Sequence, residues 1–181
     1  MEQSIIIAGF GGQGIKLAGM IAAKAFMAAG KHVTLYPSYG AEMRGGSVNC
    51  EIVVGDDEIR CVHKKQIDYL VALNDLSLVK FLPKVKTGGT VILNTDFAIP
   101  ENLRTDVKYF KEPISTIAEN AGNVKSANMT ALGLFFSIFG INESIAENTV
   151  TAAMPENSPS TEVNVKALKS GFLRTPAVKG A

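Results

Sequence analysis

The residues best suited to do chemistry are the glycines of one hexapeptide, Gly9-Phe10-Gly11-Gly12-Gln13-Gly14. An apolar, β-branched run over residues 4–8 precedes it, and apolar residues at helical spacing over residues 15–29 follow it. This order predicts a strand, a tight turn and a helix. A helix that opens on glycines leaves its first backbone N–H groups unpaired, and its dipole places partial positive charge there. The hexapeptide is therefore a candidate phosphate site, with Gly9, Gly11, Gly12, Gln13 and Gly14 as candidate ligand-binding residues.

The spacing of Gly9, Gly11 and Gly14 also matches the dinucleotide-binding pattern G-x-G-x-x-G. That pattern requires an acidic residue roughly 20 positions further on, which binds the ribose hydroxyls. The predicted second strand covers residues 32–36 and ends in Tyr36-Pro37-Ser38, without a carboxylate. The sequence therefore favours another phosphorylated ligand over NAD or FAD. A third hypothesis stays open, in which the glycines only let the first helix pack closely on the sheet.

A second polar segment follows the second strand. Residues 36–47 break every periodicity and contain Tyr39, Glu42, Arg44, Gly45 and Gly46. Glu42 and Arg44 need not pair with each other, and the planar guanidinium of Arg44 can bind a carboxylate or a phosphate. Two hypotheses stay open: these residues bind a ligand, or they hold the loop against a neighbouring subunit.

The elements that must position these two segments alternate between strands and helices. Short apolar runs predict strands over residues 69–73, 90–94 and 106–110 and helices over residues 76–82 and 114–119, with Asn74-Asp75 as the cap of the first of these helices. Strand–helix–strand units imply right-handed crossovers between parallel strands. The sequence predicts an α/β fold on a mainly parallel sheet, with a Rossmann-like first βαβ unit.

One β-hairpin is predicted over residues 47–62. Residues 47–54 alternate, residues 55–57 form a turn and residues 58–62 continue the pattern. Pairing around this turn would place Cys50 and Cys61 on one face in diagonal positions. We expect the two thiols to stay reduced.

The C-terminal part of the chain is predicted to be helical, over residues 128–139, 143–154 and 161–173. The first of these helices is apolar nearly all round, which indicates burial on most faces. In a domain of this size, burial against another subunit is the simplest explanation, so Leu134, Phe135, Ile138 and Phe139 are candidate interface residues and the isolated chain should form a homodimer. A single domain is predicted over residues 1–174, followed by a loose tail over residues 175–181.

Composition and charge exclude several functions. The chain has 181 residues, 46% of them hydrophobic, so it can bury one hydrophobic core. Its net charge of +1 is too small to favour binding to the phosphates of a nucleic acid. No apolar run approaches the roughly 18 residues of a membrane span and no signal segment is present, so a cytoplasmic protein without a membrane contact is expected. Two cysteines and two histidines provide no metal or iron–sulfur site. No catalytic residue is predicted, because a nucleophile motif is also absent.

Two stretches together resemble a known family: residues 9–14, and the string Ser38-Tyr39-Gly40-Ala41-Glu42-Met43-Arg44-Gly45-Gly46-Ser47-Val48-Asn49-Cys50. At this separation they resemble the gamma subunit of thiamine-diphosphate-dependent 2-oxoacid:ferredoxin oxidoreductases, nearest to the 2-oxoglutarate or branched-chain type. The equivalent unit of pyruvate:ferredoxin oxidoreductase is a fused gamma domain. The chain length and the apolar helix also fit, and the resemblance implies a three-layer α/β/α sandwich.

The resemblance implies a reaction that several subunits share. Members of this family oxidatively decarboxylate a 2-oxoacid to an acyl-coenzyme A and pass the electrons through iron–sulfur clusters to ferredoxin. Partner alpha, beta and ferredoxin-like delta subunits would hold thiamine diphosphate, Mg²⁺ and the clusters. This chain would contact coenzyme A through residues 9–14 and help close the active site. It should be inactive alone, and its sequence does not specify the oxoacid.

Three alternatives belong to other classes of protein or other branches of the family. The small subunit of indolepyruvate:ferredoxin oxidoreductase shares the domain but tends to carry a different string before its Arg-Gly-Gly. A stand-alone dinucleotide-dependent reductase is disfavoured by Tyr36, which stands where an acidic residue is required. A non-catalytic assembly module would bind no small molecule.

Overall fold

A six-stranded mixed sheet with helices on both faces organises residues 1–39 and 47–174, which are the residues that the computed structural model describes. The strands are β1 (Gln3–Phe10), β2 (His32–Tyr39), β3 (Ser47–Gly55), β4 (Ile67–Ala72), β5 (Val85–Asn94) and β6 (Lys108–Glu112). The helices are α1 (Ile15–Ala28), α2 (Asp75–Phe81), α3 (Ile114–Ala121), α4 (Ala127–Phe139), α5 (Glu143–Ala153) and α6 (Pro159–Phe172). The predicted α/β sandwich is confirmed.

The order of the strands is β2-β3-β1-β4-β5-β6. The strands β1, β4, β5 and β6 are parallel to one another, whereas β3 runs antiparallel to both of its neighbours, β1 and β2. Side chains of β1 alternate between the two faces of the sheet: Ile5 and Ile7 pack with α1, and Ile6 and Ala8 pack with α2. The central strand is therefore buried on both faces, as its continuous apolar sequence requires.

The hairpin predicted over residues 47–62 is wrong in its second half. Residues 47–55 form β3 as expected, but residues 58–62 are not a strand. The reason is that both edges of β3 are already paired, one with β1 and the other with β2. Cys50 is consequently buried under α1, while Cys61 is exposed, so the two thiols do not share a face.

Three predicted boundaries also change. The strand β2 continues to Tyr39 through Pro37, which is tolerated because β2 lies at the edge of the sheet. The strand β5 begins at Val85, five residues before the predicted start at residue 90, and includes Gly88 with a left-handed φ of 78°. The helix α6 begins at Pro159, a residue that fits the first helical turn because it needs no N–H there.

The helix α4 is buried by the chain itself. Leu134 and Phe135 are 1% and 0% exposed, and α4 lies between the sheet and α6. Two glycines permit this close approach: a Cβ at Gly133 would collide with the Leu168 carbonyl, and a Cβ at Gly171 with the Thr130 carbonyl. The predicted subunit interface at Leu134 and Phe135 is therefore wrong. Interface roles for Ile138 and Phe139, which are only partly buried at the end of α4, stay a prediction.

Within residues 1–39 and 47–174, no helix is long and apolar enough to cross a membrane. The domain boundary predicted at residue 174 stays a prediction, because residues 175–181 lie outside the described part of the chain.

Candidate functional site

The glycine hexapeptide lies at the carboxyl end of β1, beside a neighbouring strand whose following helix packs on the opposite face of the sheet. The helix α1 follows β1 and packs on one face, while α2 follows the neighbouring parallel strand β4 and packs on the opposite face. The carboxyl ends of two such strands are separated by a crevice, and open α/β sheets bind ligands at this position. Residues 9–14 form one wall of that crevice.

Two of the glycines are required by the packing of this chain. Gly14 has a left-handed φ of 69°, and its carbonyl accepts a hydrogen bond of 3.1 Å from Asn128 Nδ2 of α4. A Cβ at position 14 would collide with that Asn128 amide. A Cβ at Gly9 would lie 2.6 Å from Gln13 Oε1 and 2.7 Å from Ile15 Cδ1. For Gly9 and Gly14, the packing hypothesis therefore explains why the residue is glycine.

Gly11 and Gly12 have no such explanation. Both are exposed, and no atom from the described ranges of the chain lies within 4 Å of the position that a Cβ would take on either residue. Gly12 adopts a φ of 96°, a value that L side chains rarely accept, whereas Gly11 does not have a positive φ. Among the described residues, nothing covers the backbone at these two positions, which is the condition for a ligand to approach it.

The first turn of α1, directly after the hexapeptide, has backbone donors without an acceptor in the helix. The first backbone hydrogen bond of the helix runs from Ala18 N to Gly14 O at 2.9 Å, so the N–H groups of residues 15–17 have no acceptor within the helix. Gly14 is the N-cap residue of α1, no side chain from residues 1–39 or 47–174 caps the helix there, and the first turn carries no acidic residue. These N–H groups and the helix dipole together favour an anion at this end of α1.

Gln13 connects the hexapeptide to α2. Its Oε1 accepts hydrogen bonds from Phe10 N at 2.6 Å and from Asn74 Nδ2 at 3.1 Å. Asn74 is fully buried and caps α2, since its Oδ1 accepts from Ser77 N at 2.8 Å. The predicted cap at Asn74 is confirmed, but the sequence did not reveal its bond to Gln13. The available signal was an uncharged polar residue directly after a buried strand.

The second candidate segment is described only at its two ends. Glu42, Arg44, Gly45 and Gly46 lie outside the described residues, so their roles stay predictions. The backbone of Tyr39 pairs with Val48 at the end of β2, and Ser47 pairs with Phe10 at the end of β1. Tyr39 and Ser47, the described residues on either side of this segment, therefore lie at the same end of the sheet as the glycine hexapeptide. Ser47 Oγ also accepts a hydrogen bond of 2.7 Å from Lys80 of α2.

The titratable groups of the chain do not form a metal site in the described ranges, which bring no three His, Cys, Asp or Glu side chains together as ligands. Burial raises the pKa of the Cys50 thiol to about 11, and its Sγ lies 3.6 Å from the Ile15 carbonyl. Cys50 is therefore a neutral core residue and not a thiolate ligand. His63 contacts Glu51 at 3.0 Å and packs edge-on against Tyr36, away from the hexapeptide.

Residues 4–173 match the protein family described as pyruvate ferredoxin/flavodoxin oxidoreductase. The chain is 36% identical over 172 residues to the 2-oxoglutarate synthase subunit KorC of Archaeoglobus fulgidus, covering 94% of this chain and 87% of that protein. It is 33% identical over 175 residues to the ketoisovalerate oxidoreductase subunit VorA of Methanothermobacter marburgensis, but spans only 36% of that longer protein. The indolepyruvate oxidoreductase subunit IorB of Methanothermobacter thermautotrophicus is 31% identical over 192 residues.

Two solved structures share the fold. The gamma subunit of a keto/oxoacid ferredoxin oxidoreductase from Geobacter sulfurreducens superposes with a TM-score of 0.83 at 30% identity, covering 96% of both chains. A 2-oxoglutarate:ferredoxin oxidoreductase from Magnetococcus marinus has a TM-score of 0.87 at 24% identity, and its match covers 96% of this chain and 31% of that one. The resemblance noted in the sequence is thus confirmed, and the chain belongs to the pyruvate ferredoxin/flavodoxin oxidoreductase family as a gamma-type subunit of the 2-oxoacid:ferredoxin oxidoreductases.

Proposed function

We propose that this chain provides the coenzyme A contact of its oxidoreductase complex through residues 9–14 and helps close the active site. The observation that carries the proposal is the exposed backbone at Gly11 and Gly12, which immediately precedes the first turn of α1, where N–H groups have no acceptor in the helix. Coenzyme A carries a pyrophosphate and a 3′-phosphate, and such anions bind backbone N–H groups at helix N-termini. The related Magnetococcus marinus enzyme was solved with coenzyme A bound, which supports this choice of ligand.

The proposal leaves the redox and decarboxylation chemistry to partner subunits. Thiamine diphosphate, Mg²⁺ and iron–sulfur clusters need carboxylate, amide or thiolate ligands at fixed spacing, and this chain has two cysteines, one of which is a buried neutral thiol. The expected partners are alpha, beta and ferredoxin-like delta subunits, with ferredoxin as the electron acceptor and the cytoplasm as the compartment. The residues of this chain bind and orient coenzyme A and exclude water around it.

The oxoacid is not assigned. Relatives named for 2-oxoglutarate and ketoisovalerate are 36% and 33% identical to this chain, and the indolepyruvate relative at 31% identity is the alternative branch. Specificity is expected to lie where partner subunits bind thiamine diphosphate and the oxoacid. Tyr39, Glu42, Arg44, Gly45 and Gly46 are proposed to contact either the ligand or a neighbouring subunit at the same edge of the sheet.

The test compares glycine variants in the complex assembled with its partner subunits. Gly11→Val places a side chain in the open space without straining φ, so the protein should keep its stability. The apparent KM for coenzyme A should rise roughly tenfold or more, because a hydrogen bond to a charged group contributes about 1.5–3 kcal/mol. The half-reaction that decarboxylates the oxoacid should be spared, and the chain without partners serves as the inactive blank.

The matched control is Gly30→Val. Gly30 lies beyond the C-terminal end of α1, is exposed, and has a φ of 77° with open space around it, so it reproduces the backbone strain expected of Gly12→Val. We expect Gly12→Val and Gly30→Val to lose similar stability, while only Gly12→Val raises the KM for coenzyme A. Unchanged coenzyme A kinetics in a folded, assembled Gly11→Val variant would show that the hexapeptide is a packing device.

A further inference from the structure

We propose that Asn74 is a positioning residue that fixes the side-chain amide of Gln13, so that this side chain presents a hydrogen-bond donor, Nε2, to the ligand of the hexapeptide. This inference rests on the proposed function of residues 9–14 and adds the way in which that site selects its ligand. It concerns two amides, Asn74 and Gln13, that lie 61 positions apart in the sequence and are joined by one hydrogen bond.

The first amide is oriented from the side of α2. Ser77 N is a backbone N–H, which can only donate, and it lies 2.8 Å from the Asn74 side-chain oxygen. The remaining atom of the Asn74 amide, Nδ2, is therefore a donor, and it points at Gln13. Asn74 is fully buried and Gln13 is partly buried, so solvent can reach this bond only from the Gln13 side.

The second amide is oriented from both sides at once. Gln13 Oε1 accepts from Asn74 Nδ2 at 3.1 Å and from Phe10 N at 2.6 Å. If either amide were turned over, an N–H group would face another N–H group and a hydrogen bond would be lost, which costs free energy at a partly buried position. Backbone donors at Phe10 and Ser77 thus fix the direction of every bond in the chain of amides.

The consequence concerns the other end of the Gln13 amide. Both acceptor directions of Oε1 are used, so Nε2 is left with two N–H groups and has no acceptor among residues 1–39 and 47–174. Gly9 makes this arrangement possible, because a Cβ there would lie 2.6 Å from Gln13 Oε1 and displace it. Gln13 Nε2 therefore joins the N–H groups of residues 15–17 as a donor. Such a surface selects a ligand group that is only an acceptor, such as a phosphate oxygen.

Gln13→Glu tests the polarity of the surface. The carboxylate keeps an oxygen for Phe10 N and Asn74 Nδ2, but it replaces the Nε2 donor by a negatively charged acceptor. We expect the assembled complex to fold and to melt within a few degrees of the wild type. The dissociation constant for coenzyme A, measured by titration calorimetry on the complex, should rise roughly tenfold or more, with a parallel rise in KM and an unchanged kcat.

Asn74→Asp tests the positioning role. Aspartate is as good a helix cap as asparagine, so the bond from Ser77 N and the start of α2 should persist. Its second oxygen now faces Gln13 Oε1, so two acceptors meet where a hydrogen bond was. No orientation of the Gln13 amide then satisfies both Phe10 N and the new carboxylate, and Nε2 loses its fixed direction. Asn74→Ser keeps the cap and removes only the Nδ2 donor. We expect both variants to weaken coenzyme A binding, Asn74→Asp more than Asn74→Ser.

Asn142→Asp is the matched control. Asn142 caps α5 in the same way, with Oδ1 accepting from Ser144 N at 2.8 Å, but it is exposed and has no bond to the hexapeptide. This variant adds the same charge to the chain and should leave the dissociation constant unchanged. If Asn142→Asp weakened coenzyme A binding as much as Asn74→Asp does, the added negative charge alone would explain both effects, and the inference would be overturned.

The remaining outcomes separate the inference from the proposed function. If Gly11→Val weakens coenzyme A binding while Gln13→Glu does not, the hexapeptide binds coenzyme A and the donor role of Gln13 is wrong. If Gln13→Glu weakens binding but both Asn74 variants do not, Asn74 has no positioning role. If no variant of residues 9–14 changes the dissociation constant, the proposed function itself fails.

Discussion

Phe135→Ala should destabilise a single folded chain and should not act by separating two subunits. Phe135 is fully buried, and its ring meets those of Phe26 at 6.1 Å, Tyr69 at 5.7 Å and Phe136 at 5.8 Å. These partners belong to α1, β4 and α4 of the same chain. The substitution therefore removes a ring that packs between the helices of one layer and the sheet.

The expected loss is about 3–5 kcal/mol in the free energy of unfolding, the usual cost of replacing a buried phenylalanine by alanine. With a denaturant slope of about 2 kcal/mol/M, the urea midpoint should fall by roughly 1.5–2.5 M. Phe135→Leu keeps most of the volume and should lose about 1.5 kcal/mol or less. Phe139→Ala, which removes a partly exposed ring of the same cluster, should cost less than Phe135→Ala.

The assay is urea unfolding followed by circular dichroism at two protein concentrations a hundredfold apart. If α4 folded only against a second copy, dilution would lower the apparent stability by about 2.7 kcal/mol through mass action. We expect the same midpoint at both concentrations for the wild type and for Phe135→Leu. A midpoint that falls on dilution in the wild type but not in Phe135→Ala, or a shift below about 0.5 M for Phe135→Ala, would refute the reasoning.

Two further predictions concern titratable groups. Iodoacetamide at about pH 8 should alkylate the exposed Cys61 and spare Cys50, whose thiol pKa is raised to about 11 by burial, and native-state labelling of Cys50 found by mass spectrometry would contradict this. Lys31 and the N-terminal amine pair with Asp56 and lower its pKa to about 2, so the stabilisation is present above the unfolded pKa of about 3.9 and is lost as the pH falls towards 2. Thermal unfolding of Asp56→Asn should show a weaker decline of Tm between about pH 4 and pH 2 than the wild type, and identical declines would disprove the role of this carboxylate.

The sequence predicted α4 almost to the residue but not what buries it. An all-round apolar pattern indicates that every face of a helix is covered, yet it does not say by which chain. The covering partner is α6, whose sequence is much more polar and gives no sign of a core helix. The signal that was missed is the pair Gly133 and Gly171, which let the two helix backbones approach and have no other explanation within either helix.

The strand pairing of residues 47–62 failed for a related reason. Alternating apolar residues indicate a strand, but they do not identify the partner strand, and a nearby turn signal makes the local hairpin look sufficient. The partners of β3 are β1 and β2, which come earlier in the chain. Once both edges of β3 are paired, residues 58–62 have no strand to join, and all of them except the partly buried Ile59 are exposed.

The packing hypothesis applies to Gly9 and Gly14 of the hexapeptide, and the ligand hypothesis stays a prediction for Gly11 and Gly12. A glycine in the sequence shows that a Cβ is absent. It does not show whether the space that the Cβ would occupy is filled by the chain itself or left for a ligand. Three-dimensional neighbours decide this: Gln13 and Asn128 fill the space at Gly9 and Gly14, and nothing in the described ranges fills it at Gly11 and Gly12. The residues that pack also orient the residues that remain open, because Gly9 accommodates Gln13 and Asn74 fixes its amide. A substitution at a packing glycine should therefore impair stability and ligand binding together, whereas one at Gly11 should impair ligand binding alone.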